Sequence, residues 1–297
     1  MGKSKIKTAK ATRFDYTVRS IRDEEIEIVE NPAYYREYDE EGNLTMEVIY
    51  GPGGYLSEKY GFVYKDGKTV EQLTYLDEET VAEHQFIEYH GDKISKIVTK
   101  YEEGFQDETL FTYDEKGRLL SKITYDDGEE GERQINDYQG DMLVEKYFDE
   151  YGNLEKQVFV RTDSEGRITD SKTEFSEDDS YEEVRYEYDE EGKVLSEKHS
   201  GTYDKAVKDI FYRYDEKGNL TETETSSTEG TVVVEITYDK AGNEVGQIEK
   251  NEDGELNHKV KRKFDSTGNV TEIEVEIFNH GLEIDQHYLI KYEYEFY

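Results

Sequence analysis

Carboxylates are the most abundant reactive groups in this chain of 297 residues: 73 Asp and Glu stand against 37 Lys and Arg and six His. Two carboxylates flanking a cleft can cleave a glycosidic bond, but only at a defined separation. Alternating Asp and Asn followed by a bidentate Glu can hold Ca²⁺. A His in series with a carboxylate can move protons. None of these patterns stands out. His84, His90, His199, His258, His280 and His287 are dispersed, with no pair three or four residues apart, and read as surface histidines. The acids occur everywhere, so no pair is singled out. The stretch Asp215–Asn219, Asp-Glu-Lys-Gly-Asn, has one acid at the first position and a Lys where a ligand should be. Weak divalent-cation binding is expected, with no dedicated metal site and no cofactor. Gly61-x5-Gly67-Lys68-Thr69 imitates a phosphate-binding loop with one residue too many, and no Gly-x-Ser-x-Gly elbow occurs. The chain reads as a non-enzyme, with a carboxylate hydrolase as the least favoured alternative.

What the acids do instead is recur. A turn glycine returns ten times, at Gly42, Gly67, Gly91, Gly117, Gly140, Gly166, Gly192, Gly218, Gly242 and Gly268, at intervals of 23 to 26 residues. The fullest copies read YDEEGNL (Tyr38–Leu44), YDEKGRL (Tyr113–Leu119), YDEEGKV (Tyr188–Val194), YDEKGNL (Tyr214–Leu220) and FDSTGNV (Phe264–Val270). Asp at the start of a turn can bond the backbone two residues on, and Gly supplies the positive φ of a bulged hairpin. Weaker turn signals lie midway, at Gly51, Leu76, Glu102, Asp126, Ser176, Ser227 and Glu252, so the chain reverses about every 12 or 13 residues. Between reversals the period is two: Ile273, Val275 and Ile277 oppose Glu272, Glu274 and Glu276. Tyr before each turn then stacks on Tyr, giving a ladder of Tyr38, Tyr64, Tyr89, Tyr113, Tyr138, Tyr188, Tyr214 and Tyr238 that continues to Phe264. These tyrosines are the candidate partner-contact residues, with sheet packing as their plainer role.

The expected fold is all-β: one elongated antiparallel β-meander of about twenty short strands, built from ~25-residue hairpin repeats. At ~4.8 Å per strand it would make a ribbon roughly 95 Å long, open and curved or spiralling through its native twist. Residues 1–13 read as a flexible basic arm, 14–37 as an N-terminal cap, 38–282 as the repeats and 283–297 as a C-terminal capping strand. The last of these carries the apolar stripe Tyr288, Ile290, Tyr292, Tyr294 and Phe296.

The Tyr-Asp-x-x-Gly-[Asn/Arg]-Leu units resemble the YD repeats of Rhs and teneurin proteins. They are also similar to the looser Tyr-x-x-Gly-Lys repeats of bacterial YwqK-type, MORN-like proteins. The resemblance covers roughly residues 34–282. It implies an antiparallel sheet that spirals, in Rhs proteins around a toxin, and the MORN-like relatives include antitoxins. The chain departs from the Rhs pattern in its slightly long repeat and in having no toxin domain after the repeats. With Thr162 before Asp163, one repeat also lacks its aromatic.

Charge bounds the partners. A net charge of −36 repels nucleic acid and anionic membrane and attracts basic proteins. There is no cysteine, and no apolar run reaches the ~20 residues of a membrane-spanning helix. A cytoplasmic chain is therefore expected, although an already-processed secreted chain would look the same. The favoured function is a non-catalytic scaffold presenting an acidic, Tyr-rich β-surface to a basic protein, for example in an immunity-like or antitoxin-like role. The alternative is a secreted or surface module that is structural or binds glycans.

Overall fold

The computed structural model describes residues 5–18, 26–203, 207–280 and 285–297. Two compact units emerge, Met1–His84 with Val232–Tyr297 and Gln85–Thr231. The first holds β1 (Ile6–Val18), β2 (Ile26–Tyr38), β3 (Leu44–Tyr50), β4 (Leu56–Lys65) and β5 (Lys68–Tyr75), and from the C-terminal part β19 (Glu244–Lys250), β20 (Leu256–Phe264), β21 (Val270–Ile277) and β22 (Gln286–Phe296). The second holds β7 (Lys93–Tyr101), β8 (Gln106–Tyr113), β9 (Leu119–Asp126), β10 (Glu129–Gln139), β11 (Met142–Phe148), β12 (Leu154–Thr162), β13 (Ile168–Phe175), β14 (Tyr181–Tyr188), β15 (Val194–Gly201), β16 (Lys208–Tyr214) and β17 (Leu220–Ser227). β6 (Val81–His90) and β18 (Gly230–Tyr238) carry the two divisions between units.

The Tyr-Asp turns form because the Asp carboxylate organises its own loop. In Asp114–Arg118, Oδ1 accepts the backbone N–H of Lys116 and of Arg118, both at 2.9 Å, while Oδ2 accepts Arg118 Nε at 2.7 Å. Gly117 N–H donates to the Asp114 carbonyl at 2.9 Å, and Gly117 takes φ 74°, which a side chain would disfavour. Where Asn replaces Arg, its amide plays the same part: Asn43, Asn219 and Asn243 each donate to the Asp Oδ2 four residues back at 2.9 Å. The pairing register shifts beside these turns, between Thr112 and Tyr113 and between Arg213 and Tyr214, as a bulged hairpin requires.

All twenty-two strands belong to one sheet. Its first and last strands pair: β1 runs antiparallel to β22 from Ile6 opposite Phe296 to Asp15 opposite Tyr288, while its other edge pairs with β2. The sheet is therefore closed, a 22-stranded antiparallel barrel in its connectivity. Closure pairs β1 with strands on both sides and gives β22 partners along Tyr288–Phe296, which an open sheet must find elsewhere. The seam is built on two small residues. Ala11 lies opposite Tyr34 on one side and Tyr292 on the other, and Ala9 lies between Arg36 and Tyr294. The Tyr34 and Tyr292 rings meet edge to face at 5.5 Å, and Ala11 is fully covered. Elsewhere the core is thin: Val48, Val144, Val260 and Val275 are buried, but among the described residues no large side chain is fully enclosed.

The open, elongated meander expected from the sequence is overturned by this β1–β22 pairing. With it falls the spiralling sheet that the YD-repeat resemblance implied, and the description as an open β-meander repeat protein. Residues 6–13, read as part of a loose basic arm, are the first half of β1, paired with β22 and, from Thr8 on, also with β2. Residues 1–4 and 283–284 lie outside the described residues. The stripe Tyr288–Phe296, read as a cap, is the closing strand, and Pro32 sits at a bulge of β2 where its missing N–H is tolerated. The cytoplasmic assignment is corrected as well. It rested on the lack of an apolar run, and no described helix is long and apolar enough to cross a membrane. A closed sheet, however, is the other architecture able to span a bilayer.

Candidate functional site: an acidic turn end

The predicted contact residues lie where the Tyr-Asp turns begin, and in the second unit the fold uses their chemistry. Tyr113, Tyr138, Tyr188 and Tyr214 donate their hydroxyls to the carbonyls of Ile94, Leu119, Ile168 and Val194, at 2.9, 3.1, 2.7 and 2.9 Å. Each acceptor belongs to the start of the strand following the preceding Tyr-Asp-type turn, so one repeat is tied to the next. Cations from that preceding turn cover the rings: Arg118 lies over Tyr138 at 4.0 Å, Arg167 over Tyr188 at 5.0 Å and Lys193 over Tyr214 at 5.6 Å. Burial raises the Tyr113 and Tyr214 hydroxyls above the ordinary phenol range. Tyr89, also in this unit, stands near the end of β6. In the first unit Tyr38 closes β2, Tyr64 lies in β4 and Tyr238 ends β18.

Three other groupings could do chemistry. Glu274, Glu276 and His287 offer ligand atoms within 4.8 Å of one another, and these are the residues that could hold a metal. Lys261 Nζ already stands 2.9 Å from Glu274 and 3.8 Å from Glu276, with Lys259 Nζ 3.5 Å from Glu276, so a cation would have to displace ammonium groups. Lys261 is the largest cause holding the Glu274 carboxyl below its usual range. Glu197 accepts Tyr212 Oη at 2.8 Å and lies 2.9 Å from His199 Nε2, an orienting arrangement for the imidazole. Asp126 stands directly opposite Asp107 across β8 and β9, and that like charge, with burial and Asp127 adding to it, raises its carboxyl pKa. The cause is crowding of acids at a turn, not a catalytic cleft.

Such crowding of acids recurs at one end of the second unit. In the second unit the turns β7–β8, β9–β10, β11–β12 and β13–β14 all fall at the end of the sheet away from the Tyr-Asp turns. Residues 102–105, 126–130, 149–153 and 176–180 carry eleven carboxylates and no Lys or Arg. Glu130 alone among the eleven forms an ion pair, with Arg133, among the described residues. At the opposite end, turns 91–92, 114–118, 140–141, 163–167, 189–193 and 215–219 also carry eleven carboxylates, but with five Lys or Arg among them. Over these turns the two ends match in acid and differ in compensation, and the sequence between β15 and β16, which supplies Tyr203 to the acidic end, adds Asp204 and Lys205.

The acidic end also exposes rings. Phe105 is 58% exposed, Tyr151 82% and Tyr203 59%. A recess of about 720 Å³ opens between turns 149–153 and 176–180, lined by Glu155, Phe175, Glu177, Tyr181, Glu182 and Tyr203 among others. Its one lysine, Lys156, lies over the Tyr147 ring at 4.7 Å. Burial, reinforced by Glu145, pushes the Tyr147 hydroxyl up to about 12. Asp178 accepts Ser180 N–H at 3.0 Å and Tyr203 Oη at 2.5 Å, and hydrogen bonding from the Ser180 side chain, then from Tyr203 and the Ser180 N–H, holds its carboxyl below the usual range. Glu155, Glu177 and Glu182 make no ion pair among the described residues. Only Asp149–Asn153 at this end keeps the Tyr-Asp-type consensus, with Asp149 accepting Tyr151 N–H, Asn153 N–H and Asn153 Nδ2, and the other three turns share no pattern that would draw attention to them. The legible signal was the missing Lys and Arg.

No family model and no curated protein matches the chain. Solved structures give distant likenesses. A porin-like protein from Bacteroides uniformis is 15% identical, covering 96% of this chain and 97% of that one, with a TM-score of 0.31. A complex described as TcdB2-TccC3-Cdc42 gives 11% identity over 93% of this chain and 22% of that one, with a TM-score of 0.32. A porin-like protein from Bacteroides vulgatus gives 11% identity over 81% of this chain and 99% of that one, at 0.21. Scores this low carry no argument about this chain.

Proposed function

We propose that this protein is a non-catalytic scaffold whose acidic turn end captures a basic protein, an inhibitor that masks its partner's basic surface being one concrete form. The observation that carries the reading is the second unit's end with eleven carboxylates and one compensating cation, set among exposed rings. Uncompensated charge of one sign steers an oppositely charged partner, and aromatic side chains anchor it once docked. The test is affinity capture from the native host's lysate at low salt and at about 0.5 M salt, where the Debye length shrinks to a few Å. One basic protein in stoichiometric amount, lost at high salt, supports the reading. An empty eluate at both salts refutes it.

A second reading, a membrane-spanning barrel, is favoured by the closure of the sheet. It needs an apolar outward band about 25 Å tall. On one face of β12 to β16, the row Arg161, Asp170, Arg185, Lys198 and Asp209 crosses five neighbouring strands. The other face carries Glu145, Glu197 and His199. A Lys or Arg facing lipid at mid-depth costs about 2–4 kcal/mol, so these rows weigh against it. Co-flotation with neutral lipid vesicles separates the two readings: recovery with the vesicles would favour the barrel in a membrane.

A further inference from the structure

In the first unit, strand β2 outruns its neighbour. β3 covers one edge of it only from Tyr34 opposite Ile49 to Tyr38 opposite Leu44, whereas β1 pairs with the other edge as far as Ile26 opposite Val18. The β3–β4 turn closes at Gly51–Tyr55 and meets β2 at Pro32, where a Cβ on Gly54 would stand 2.9 Å from Pro32 Cδ. Beyond that point, among the described residues, no strand lies on the outer edge of Ile26–Glu30. Five residues of strand make about 17 Å of free edge, along which alternate residues turn both N–H and C=O outward.

An open edge is a template for a further strand, and folded proteins guard theirs with Lys, Pro, a bulge or a cover. β2 has its proline at Pro32 and its bulge opposite Ala11 and Thr12, both at the covered end. Ile26–Glu30 has neither, and its only charged residues are Glu27 and Glu30. It is aliphatic besides: Ile26 is 63% exposed, Ile28 57% and Val29 39%. Period two places Ile26 and Ile28 on one face and Val29 on the other, so the edge presents apolar surface on both sides. All three side chains are β-branched, the kind that packs well beside a paired strand. An added strand would satisfy the backbone and cover these side chains, whereas an ion would do neither.

Charge selects the strand. A second copy of this chain would bring the same two glutamates and a net charge of −36 to an edge that already carries them. A foreign strand with Lys or Arg opposite Glu27 and Glu30, and aliphatic residues opposite Ile26 and Ile28, forms favourable cross-strand pairs instead. We infer that Ile26–Glu30 of β2 accepts an extended segment of another polypeptide as an added antiparallel strand, aliphatic at its centre and with a cation opposite each of the two glutamates. This surface lies in the first unit and does not depend on the acidic turns of the second.

The experiment uses the full chain and fluorescence anisotropy with the labelled peptide Ser-Lys-Val-Ile-Lys-Ile-Ser, written to lie antiparallel to Ile26–Glu30. Two further peptides have the same sequence with N-methyl groups on alternate amides, one for each alternation. Side chains and charge are unchanged, but one of the two loses the donors that face the edge, on which strand addition depends. The unmodified peptide should bind, one methylated form should bind about tenfold weaker or worse, and the other should differ by less than about twofold. In the protein, Ile28→Lys/Glu30→Lys should weaken the peptide by about tenfold or more, with the thermal unfolding midpoint checking that the fold is kept. Leu120→Lys/Glu115→Lys brings the same change in charge to the second unit and should alter binding by less than about twofold. No binding, or equal binding of all three peptides, overturns the added strand. Equal losses in the two protein variants overturn its place on β2. A dimer in sedimentation that Ile28→Lys/Glu30→Lys dissociates would put a second copy on this edge and overturn the chemistry assigned to its occupant. Capture of a basic protein by the second unit is tested separately by its salt dependence and is untouched by any of these results.

Discussion

Closure of the sheet can be tested with one engineered cross-link, because the chain contains no cysteine to confuse the result. Lys10 in β1 lies directly opposite Glu293 in β22, and both side chains are exposed. Directly opposed residues of an antiparallel pair have Cα atoms about 4.5–5.5 Å apart, inside the range that a disulfide bridges. In an open sheet of 22 strands the same two residues would stand about 100 Å apart at ~4.8 Å per strand. Replacing both with Cys sacrifices at most one exposed ion pair, worth about 0–1 kcal/mol. The variant Lys10→Cys/Glu293→Cys, oxidised at low concentration, should form an intrachain disulfide in nearly every molecule. It would migrate as a compact monomer on non-reducing gels and leave no free thiol. The closed loop spans almost the entire chain, so the chain-entropy estimate gives a stabilisation of about 5–6 kcal/mol as an upper figure, read as a raised denaturation midpoint. Each single-Cys variant should give only intermolecular dimers. If the double variant also gives only dimers, with no intrachain product under native conditions, the β1–β22 seam is absent and the closed architecture is wrong.

Tyr138→Phe removes the hydroxyl bonded to the Leu119 carbonyl and should cost about 1 kcal/mol in urea unfolding, while Leu143→Ala next to it on the same face serves as a packing control. Acid should destabilise the fold through its turns. Hydrogen bonds from Asn43 lead the causes holding Asp39 below the usual carboxylate range, Arg118 N–H leads for Asp114, and Asn219 leads for Asp215. A depressed folded-state pKa contributes stability that is present above the unfolded value near 3.9 and is lost as pH falls through the lower one. Unfolding followed by circular dichroism in about 0.5 M salt, which screens general charge repulsion, should show stability falling below pH 4. Asp215→Ala should be less stable at neutral pH and show a shallower fall.

Local features were legible in the sequence and the seam was not. Tyr-Asp-x-x-Gly announces its turn because all the chemistry lies within five residues: Asp114 bonds the N–H groups two and four residues on, and Gly117 supplies the turn conformation. Alternation marks β21 for the same reason, since its pattern repeats at period two. The β1–β22 pairing joins residues almost a full chain length apart and leaves no local trace. Its devices, Ala9 and Ala11, read as unremarkable residues in a basic stretch until Tyr34, Tyr292 and Tyr294 are placed beside them. The stripe Tyr288–Phe296 was visible, but only the fold shows that it covers the first strand and does not merely end the last repeat.

The two ends of the second unit explain why its most regular motif is a poor guide to its function. In a Tyr-Asp turn the carboxylate, the glycine, the following cation or amide and the next repeat's Tyr are all engaged with one another. Asp163 accepts Glu165 N–H and Arg167 N–H and Nε, and Arg167 in turn lies over Tyr188, whose hydroxyl reaches Ile168. Changing any one member disturbs the fold before it disturbs a partner. Turns at the other end bear fewer such duties, except Asp149–Asn153, where Asp149 accepts Tyr151 N–H, Asn153 N–H and Asn153 Nδ2. Asp127 and Gly128 reverse the chain by backbone conformation, leaving Glu103, Glu150 and Glu177 with no ion pair among the described residues. Loops freed from structural work on a rigid scaffold are where binding residues accumulate. Repetition thus records what holds the sheet together, and the proposed partner would dock on the acidic turns between the repeats, which repetition does not mark.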